Sequence, residues 1–227
     1  MPWHVHYTDE TGSTNADLLS MARGGAPTGT VLRAGHQTAG RGRLGRSWTA
    51  PPGANLLVSI LLRPERGPSF WDTATVALAA ASACRRTAGV QPLLKWPNDL
   101  LVGDRKLAGV LAEADGGAVV VGLGLNVGAA PPPEVAARAV ALGDLVVDPP
   151  EPGALLDAVL QALDPLLELE PAALRERWVA AAGTIGRIVR VEQPGGDLRG
   201  TATGITDDGA LIVDGGAVHA GDVIHLR

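Results

Sequence analysis

The pattern of the chain changes at Gly183, and that change constrains the fold more than any other feature. Beyond it run short Val/Ile-rich strands separated by Gly/Asp turns: "GRIVRVEQ", "LRGTATGI", "DDGALIVDGG" and "GDVIHLR". That spacing reads as a small β-barrel of about 45 residues. Composition alone offers other cuts, at the proline-rich residues 131–133 or 149–152. The change of period is the better boundary, and it divides the chain into residues 1–182 and 183–227. At 227 residues there is room for a large domain and a small one.

The larger part mixes helical and strand patterns. "STNADLLSMARGG" reads as a helix, with Ser13 or Thr14 at its N-cap and Gly24–Gly25 as its stop. "GTVLRAG" is a short strand. "NLLVSILLRP" is too continuously apolar for a surface strand and is expected to be buried on both faces. Residues 70–88 are helical with an Ala-rich face. "PLLKW" is a strand ended by Pro97, which also holds Trp96 out of the helical region. "DLLVGDRKLAGVLAEA" carries Gly103–Asp104 between two apolar runs, a hairpin signal that sets Lys106 two residues past a tight turn. In "GGAVVVGLGLNVG", Gly122 and Gly124 thin a strand where another backbone or a ligand must approach. "PPPEVAARAV" and "DPPEPG" are proline-rich connectors. Helices follow between residues 153 and 182, where Pro165 and Pro171 each suit a first helical position. The expectation is an α+β fold, a mixed β-sheet with packed helices followed by the small barrel.

Several function classes are excluded or disfavoured. A net charge of −5 argues against broad nucleic-acid binding. One cysteine, Cys84, excludes an internal disulfide and a cysteine-based zinc site, and its Ala-rich surroundings make it a packing residue. The five histidines show no metal-ligand spacing. "MPWHVHYTDE" has no signal-peptide pattern, and the longest apolar run, "VALAAASAC", is far short of the roughly 20 residues that span a bilayer. A cytoplasmic protein with no membrane partner is expected.

Against that acidic background, "GHQTAGRGRLGRSW" gathers Arg41, Arg43 and Arg46 among Gly40, Gly42 and Gly45, just before Trp48. Glycines let backbone N–H groups turn toward an anion, and guanidinium offers forked hydrogen bonds to phosphate oxygens. A phosphate site on a small molecule is the leading reading; a solvated loop and an RNA contact are the alternatives. The loop is not a Walker A sequence, and "GLGLNV" is not a dinucleotide fingerprint. Of 19 basic residues only Lys95 and Lys106 are lysine, and both fall inside "LLKWPNDLLVGDRKLAG". A compact ammonium does work that a planar guanidinium cannot. In "KWPNDL", Lys95, Asn98 and Asp99 crowd a strand end where side chains can converge on a ligand. The competing reading is a turn in which Asn98 and Asp99 cap their own backbone.

In this order, "STN", "QTAGRGRLGRSW", "GANLLVSILLRP", "KWPNDLLVGDRKLAGVLAE" and "GLGLNV", followed by a small barrel, resemble the biotin–protein ligases over nearly the whole chain. The resemblance implies an SH3-like barrel and an ATP-dependent ligase that makes biotinyl-5′-AMP and pyrophosphate, then passes biotin to a lysine of a carboxylase carrier domain. It implies biotin contacts from Ser13, Thr14, Asn15, Gln37, Gly40, Arg41, Lys106 and Gly109. It places Arg41, Gly42, Arg43, Arg46, Trp48, Asn98, Lys106 and Asn126 around the adenylate, with the glycine-rich loop closing over it and mobile without ligand. Lys106, Arg41, Arg43 and Asp99 are the implied catalytic set: Lys106 bridges the biotin carboxylate and the α-phosphate, and Asp99 assists the acceptor lysine. Mg²⁺ would arrive with ATP rather than on a dedicated ligand cluster. A monomer or weak homodimer is expected.

Two departures bear on function. Only twelve residues precede Ser13, too few for the DNA-binding helix-turn-helix of many relatives, so no DNA partner is expected. Where some relatives supply a barrel arginine to the nucleotide, this chain has Thr203 before Gly204–Ile205, with Arg199 nearby. The competing functions are a lipoate–protein ligase or octanoyl transferase of the same fold, a sensor that binds the adenylate without transferring it, and an RNA-binding protein.

Overall fold

A computed structural model describes residues 1–128, 138–193 and 195–226. Its first sheet has seven strands: β1 (His4–Thr11), β2 (Thr30–Gln37), β3 (Leu56–Leu62), β4 (Leu93–Lys95), β5 (Asp99–Val102), β6 (Arg105–Asp115) and β7 (Ala118–Leu125). Their spatial order is β1-β2-β3-β7-β6-β5-β4. Only β1 and β2 are parallel, and helix α1 (Thr14–Arg23) makes the crossover that a parallel pair requires. The remaining pairs are antiparallel.

The strand β3 is buried along its whole length, as its unbroken apolar run requires. Its alternation assigns the two faces. Leu56, Val58, Ile60 and Leu62 join the main core with α2 (Phe70–Ala88) and α3 (Pro152–Leu167). Leu61 on the opposite face joins Leu18, Ala22, Leu32 and Val120 under α1. Ser59 shares that parity and faces α1, a lone hydroxyl on an apolar strand. The helix α2 begins at Ser69, whose capping box with Asp72 satisfies the first N–H groups, and stops at Gly89 in the left-handed region. Cys84 lies buried in it.

The proline assignments need one correction. Pro171 is the first residue of α4 (Pro171–Ala181), as expected, but Pro165 lies inside the last turn of α3 and Pro152 starts that helix. A proline there removes only one backbone bond near a helix end, while buried Leu160, Leu163 and Leu166 hold the turn against the core. Residues 131–133 and most of "PPPEVAARAV" lie outside the described residues.

After Gly183 comes a second, wholly antiparallel sheet of five strands: β8 (Ile188–Glu192), β9 (Leu198–Ile205), β10 (Leu211–Val213), β11 (Gly216–Val218) and β12 (Asp222–His225), in the order β11-β10-β9-β8-β12. Among the described residues no helix is long and apolar enough to cross a membrane.

Candidate functional site

Glycine spacing makes the site. On β7, Val119, Val121, Leu123 and Leu125 belong to the main core, so the alternate positions Gly122 and Gly124 face α1 and leave that face bare. The register sets Gly122 beside Ser59 and Leu111, and Gly124 beside Leu57 and Gly109. Three glycines on adjacent strands therefore open a cavity of about 110 Å³, walled by the start of α1 and by the arginine-rich loop.

One end of the cavity is polar. The Thr14 backbone N–H and hydroxyl both donate to Gln37 Oε1, at 2.8 and 3.0 Å. The Ser59 hydroxyl lies 2.7 Å from Thr14 Oγ1 and 2.6 Å from Asn15 Oδ1. Asn15 Nδ2 donates to Glu113 Oε2 at 2.8 Å and to the Leu111 carbonyl at 3.2 Å. The same carboxylate oxygen accepts from Arg41 Nη2 at 2.9 Å. Ser13 is the N-cap residue of α1, makes no side-chain cap bond and lines the cavity.

Trp48 covers the other end. A Cβ on Gly124 would stand 2.5 Å from its Cε2 atom, and one on Gly109 would stand 3.2 Å from its Cζ3 atom, so the indole lies on these two glycines. Lys106 Nζ is 5.5 Å from the ring centroid and 2.6 Å from Asp99 Oδ1. Lys95 Nζ stands 3.8 Å from Asp99 Oδ2. Burial lowers the proton affinity of Lys95, and the Asp99 carboxylate counters that shift. Lys106 also lines a second cleft of about 580 Å³ between β5–β6 and the small sheet, together with Lys95, Arg138, Arg187 and Arg190.

The loop between β2 and β3 folds back on itself, with Gly42 N–H to the Arg46 carbonyl at 2.7 Å and Trp48 N–H to the Gly40 carbonyl at 2.9 Å. Gly40 borders a neighbouring cavity under this loop rather than the glycine-floored one. Arg43 reaches Asn98 Oδ1, the Gly221 carbonyl and Asp222 Oδ1, each at 3.4 Å, and Arg46 pairs with Asp222 Oδ2. Asn98 is fixed in turn by donating to the Val110 carbonyl at 2.8 Å.

The structure thus brings together Ser13, Thr14, Asn15, Gln37, Arg41, Gly42, Arg43, Arg46, Trp48, Asn98, Lys106 and Gly109 around one cavity, with Asp99 at its edge through Lys106. Asn126 is placed otherwise. It is buried, donates to the Val140 carbonyl at 3.2 Å and accepts from Asn55, so its amide is turned toward residues 139–142. Thr203 donates to the Ile212 carbonyl within its own sheet; the small sheet reaches the arginine loop through Asp222 instead. Ser59, Glu113 and Asp222 join the site although no sequence motif singles them out. Only Ser59 carried a local signal, as the one hydroxyl in an apolar strand. Among the described residues no group of three or more His, Cys, Asp or Glu could hold a metal ion.

Residues 8–129 match the model of the biotin/lipoate A/B protein ligase family. The chain belongs to that family. Residues 184–226 match the biotin protein ligase C-terminal domain. The chain is 43% identical to the biotin–[acetyl-CoA-carboxylase] ligase of Mycobacterium tuberculosis, over 96% of this chain and 87% of that one. It is 34% identical to the enzyme of the same name from Paracoccus denitrificans, over 91% and 92%. Its fold superposes on the biotin protein ligase of Aquifex aeolicus in complex with biotin and ATP with a TM-score of 0.87 at 26% identity, covering 99% of both chains.

One titratable group beside the second cleft makes stability depend on pH. His225 on β12 is pulled down from 6.5 to about 4, first by burial and then by the Arg187 guanidinium. The unfolded chain therefore binds the proton more readily than the folded one. The folded state keeps its full stability above about pH 6.5 and loses part of it as pH falls toward 4. The ring is half exposed, so solvent screening reduces the effect to about 1–2 kcal/mol. Denaturant midpoints at pH 7 and 4.5 for the wild type and His225→Gln check this. The gap between the proteins should change with pH, and a constant gap would refute it.

Proposed function

We propose that the chain is a biotin–protein ligase that activates biotin with ATP to biotinyl-5′-AMP and pyrophosphate, then transfers biotin to a lysine of a carboxylase carrier domain. The observation that carries this reading is the place of Lys106. Its ammonium borders both the glycine-floored cavity and the basic cleft, where an acid in one and the phosphates of a nucleotide in the other would meet.

The polar end of the cavity favours biotin within the family. A ureido ring supplies both donors and acceptors to the Gln37 amide, the Arg41 guanidinium and the Thr14 and Ser59 hydroxyls. A dithiolane or an alkyl chain offers these groups neither donor nor acceptor, and a site built to hydrogen-bond its ligand rejects such an analogue. The valeryl chain would run over Gly122 toward Lys106, with Gly124 left under the Trp48 indole. The biotin carboxylate then attacks the α-phosphorus, the bond to the β-phosphate oxygen breaks, and pyrophosphate leaves. Lys106, Arg43 and Arg46 offset the charge that builds on these oxygens. Mg²⁺ would arrive with the nucleotide, and Asn98 and Asp99 would offer it oxygen ligands, its charge helping to neutralise the phosphates. Trp48 packs the adenine end, and the loop carrying Gly40, Gly42 and the arginines keeps water from the mixed anhydride.

In the second step the acceptor amine attacks the acyl carbon and AMP departs. Asp99 takes up the amine proton once Lys106 has turned to the phosphate, since until then the carboxylate is held between two ammonium groups. Residues 1–182 supply this chemistry, and 183–227 form the accessory domain. An acyl-enzyme route through Cys84, as an octanoyl transferase would need, is disfavoured because burial in α2 pushes that thiol up to about 12.

Pyrophosphate exchange into ATP, with biotin, lipoate or octanoate added singly, tests the reading. Exchange with biotin alone is expected. Exchange driven by lipoate would move the substrate, and tight biotin binding with no exchange would make the protein a sensor.

A further inference from the structure

The segment joining the two sheets is woven into the strand that leads to "KWPND". Ala182 bridges Leu94 in parallel, and Gly183 N–H donates to the Leu94 carbonyl at 2.7 Å. A side chain at Gly183 would press on Leu93, with a Cβ only 2.9 Å from its Cβ, so the approach needs glycine. The fully buried Thr184 then accepts a hydrogen bond from the Trp96 backbone N–H at 3.2 Å. Trp96, itself buried, donates its indole N–H to the Gly209 carbonyl at 3.0 Å.

His225 fixes the other side of Thr184. Its Nε2 is 3.1 Å from Thr184 Oγ1, and its Nδ1 is 3.3 Å from Arg187 Nη1. A guanidinium can only donate, so Nδ1 must be the lone-pair nitrogen and Nε2 must carry the proton. Thr184 Oγ1 therefore accepts twice, from His225 and from the Trp96 backbone. The chain Arg187–His225–Thr184–Trp96 runs from the small sheet to the first residue of the β4–β5 turn.

That turn decides where Asp99 stands. Asp99 pairs with Lys95 across β4–β5 and with Gly109 across β5–β6, and Lys106 reaches it from beside Gly109. A shift of Trp96 would move Asp99, Lys95 and Asn98 together, while Ser59 on β3, Asn15 on α1 and Glu113, which lies on β6 past its pairing with β5 and pairs with Val120 of β7, would stay in place.

We infer that Thr184 and His225 are positioning residues, through which the small sheet holds the Lys95–Asp99 turn in register for nucleotide chemistry. Thr184 is fully buried and touches neither substrate, His225 borders the basic cleft with its ring engaged by Thr184 and Arg187, and both act through the Trp96 backbone. The inference rests on the adenylation reading above and assigns the small sheet a part in it that needs no barrel arginine.

Steady-state biotin-dependent pyrophosphate exchange by the full chain tests it, with melting temperatures measured alongside. Thr184→Val and His225→Leu remove the hydrogen bonds at nearly constant volume. Each should lower kcat about tenfold with the KM for biotin unchanged. Thr184→Ser and His225→Gln, which keep an acceptor for Trp96 and a donor–acceptor pair for Thr184 and Arg187, should return kcat to within about twofold. If Thr184→Val does not fold, the His225 pair carries the comparison. Unchanged kcat in His225→Leu, or a rise in the biotin KM matching the fall in kcat, would overturn the inference. Absence of biotin-dependent exchange in the wild type is a different result, for it would overturn the function reading and take this one with it.

Discussion

Lys106→Ala should abolish biotin-dependent pyrophosphate exchange to within assay background, a fall of about 10³-fold or more, while biotin still binds. The ammonium is in contact with Asp99 at 2.6 Å and would rest between the Trp48 face and Gly109, so no neighbour can take its place. Arg41 is paired with Glu113, and Arg43 and Arg46 must leave Asp222 before they can serve the departing pyrophosphate, so none of them replaces the ammonium where acid and α-phosphate meet. Lys106→Arg keeps the charge but not the shape. A planar fork is larger than the space over Gly109, where a Cβ would already come within 3.0 Å of Nζ. It should recover less than about a tenth of the lost rate. A Lys106→Ala enzyme retaining a tenth of wild-type exchange would show that the α-phosphate is served by other cations.

What the sequence made legible follows from how local each signal is. The hairpin at Gly103, which adopts a positive φ of 60°, the fully buried β3 and the α2 boundaries are set by neighbours within a few residues, and they appear where the pattern puts them. At Pro165 the local sequence misleads, because an acidic residue before proline resembles a helix start, whereas burial of the leucines around it decides in favour of continuing the helix. The glycines of β7 were visible as a thinned strand. Their meaning needed the register, which aligns Gly122 with Ser59 and Gly124 with Gly109 across different strands. Glu113 and Asp222 gave no local sign at all. Each acts on the arginine loop across a large sequence separation, 72 residues for Arg41–Glu113 and 176 for Arg46–Asp222. Asn126 shows the converse. Its motif is local, but its amide is committed to the Val140 carbonyl and to Asn55.

The two β7 glycines allow the ends of the cavity to be separated by single methyl groups. In Gly122→Ala the new Cβ would collide with Asn15 Oδ1. Asn15 cannot retreat cheaply, because it is buried, donates to Glu113 and Leu111, and accepts from Ser59. The expected result is a KM for biotin raised about 100-fold, a KM for ATP within about threefold of wild type, and a stability loss of about 1–3 kcal/mol. In Gly124→Ala the Cβ meets the Trp48 ring at 2.5 Å, and Trp48 lies in the connection between β2 and β3, outside any strand or helix. Displacing the indole should raise the KM for ATP about tenfold and change the KM for biotin less. The two positions differ by one strand repeat on the same face, so general damage to β7 would raise both constants in both variants. Opposite selectivity is the result that places the acid's polar head at Ser59 and the nucleotide base at Trp48. If Gly122→Ala instead weakened ATP and spared biotin, the acid and nucleotide ends proposed for this cavity would have to be exchanged.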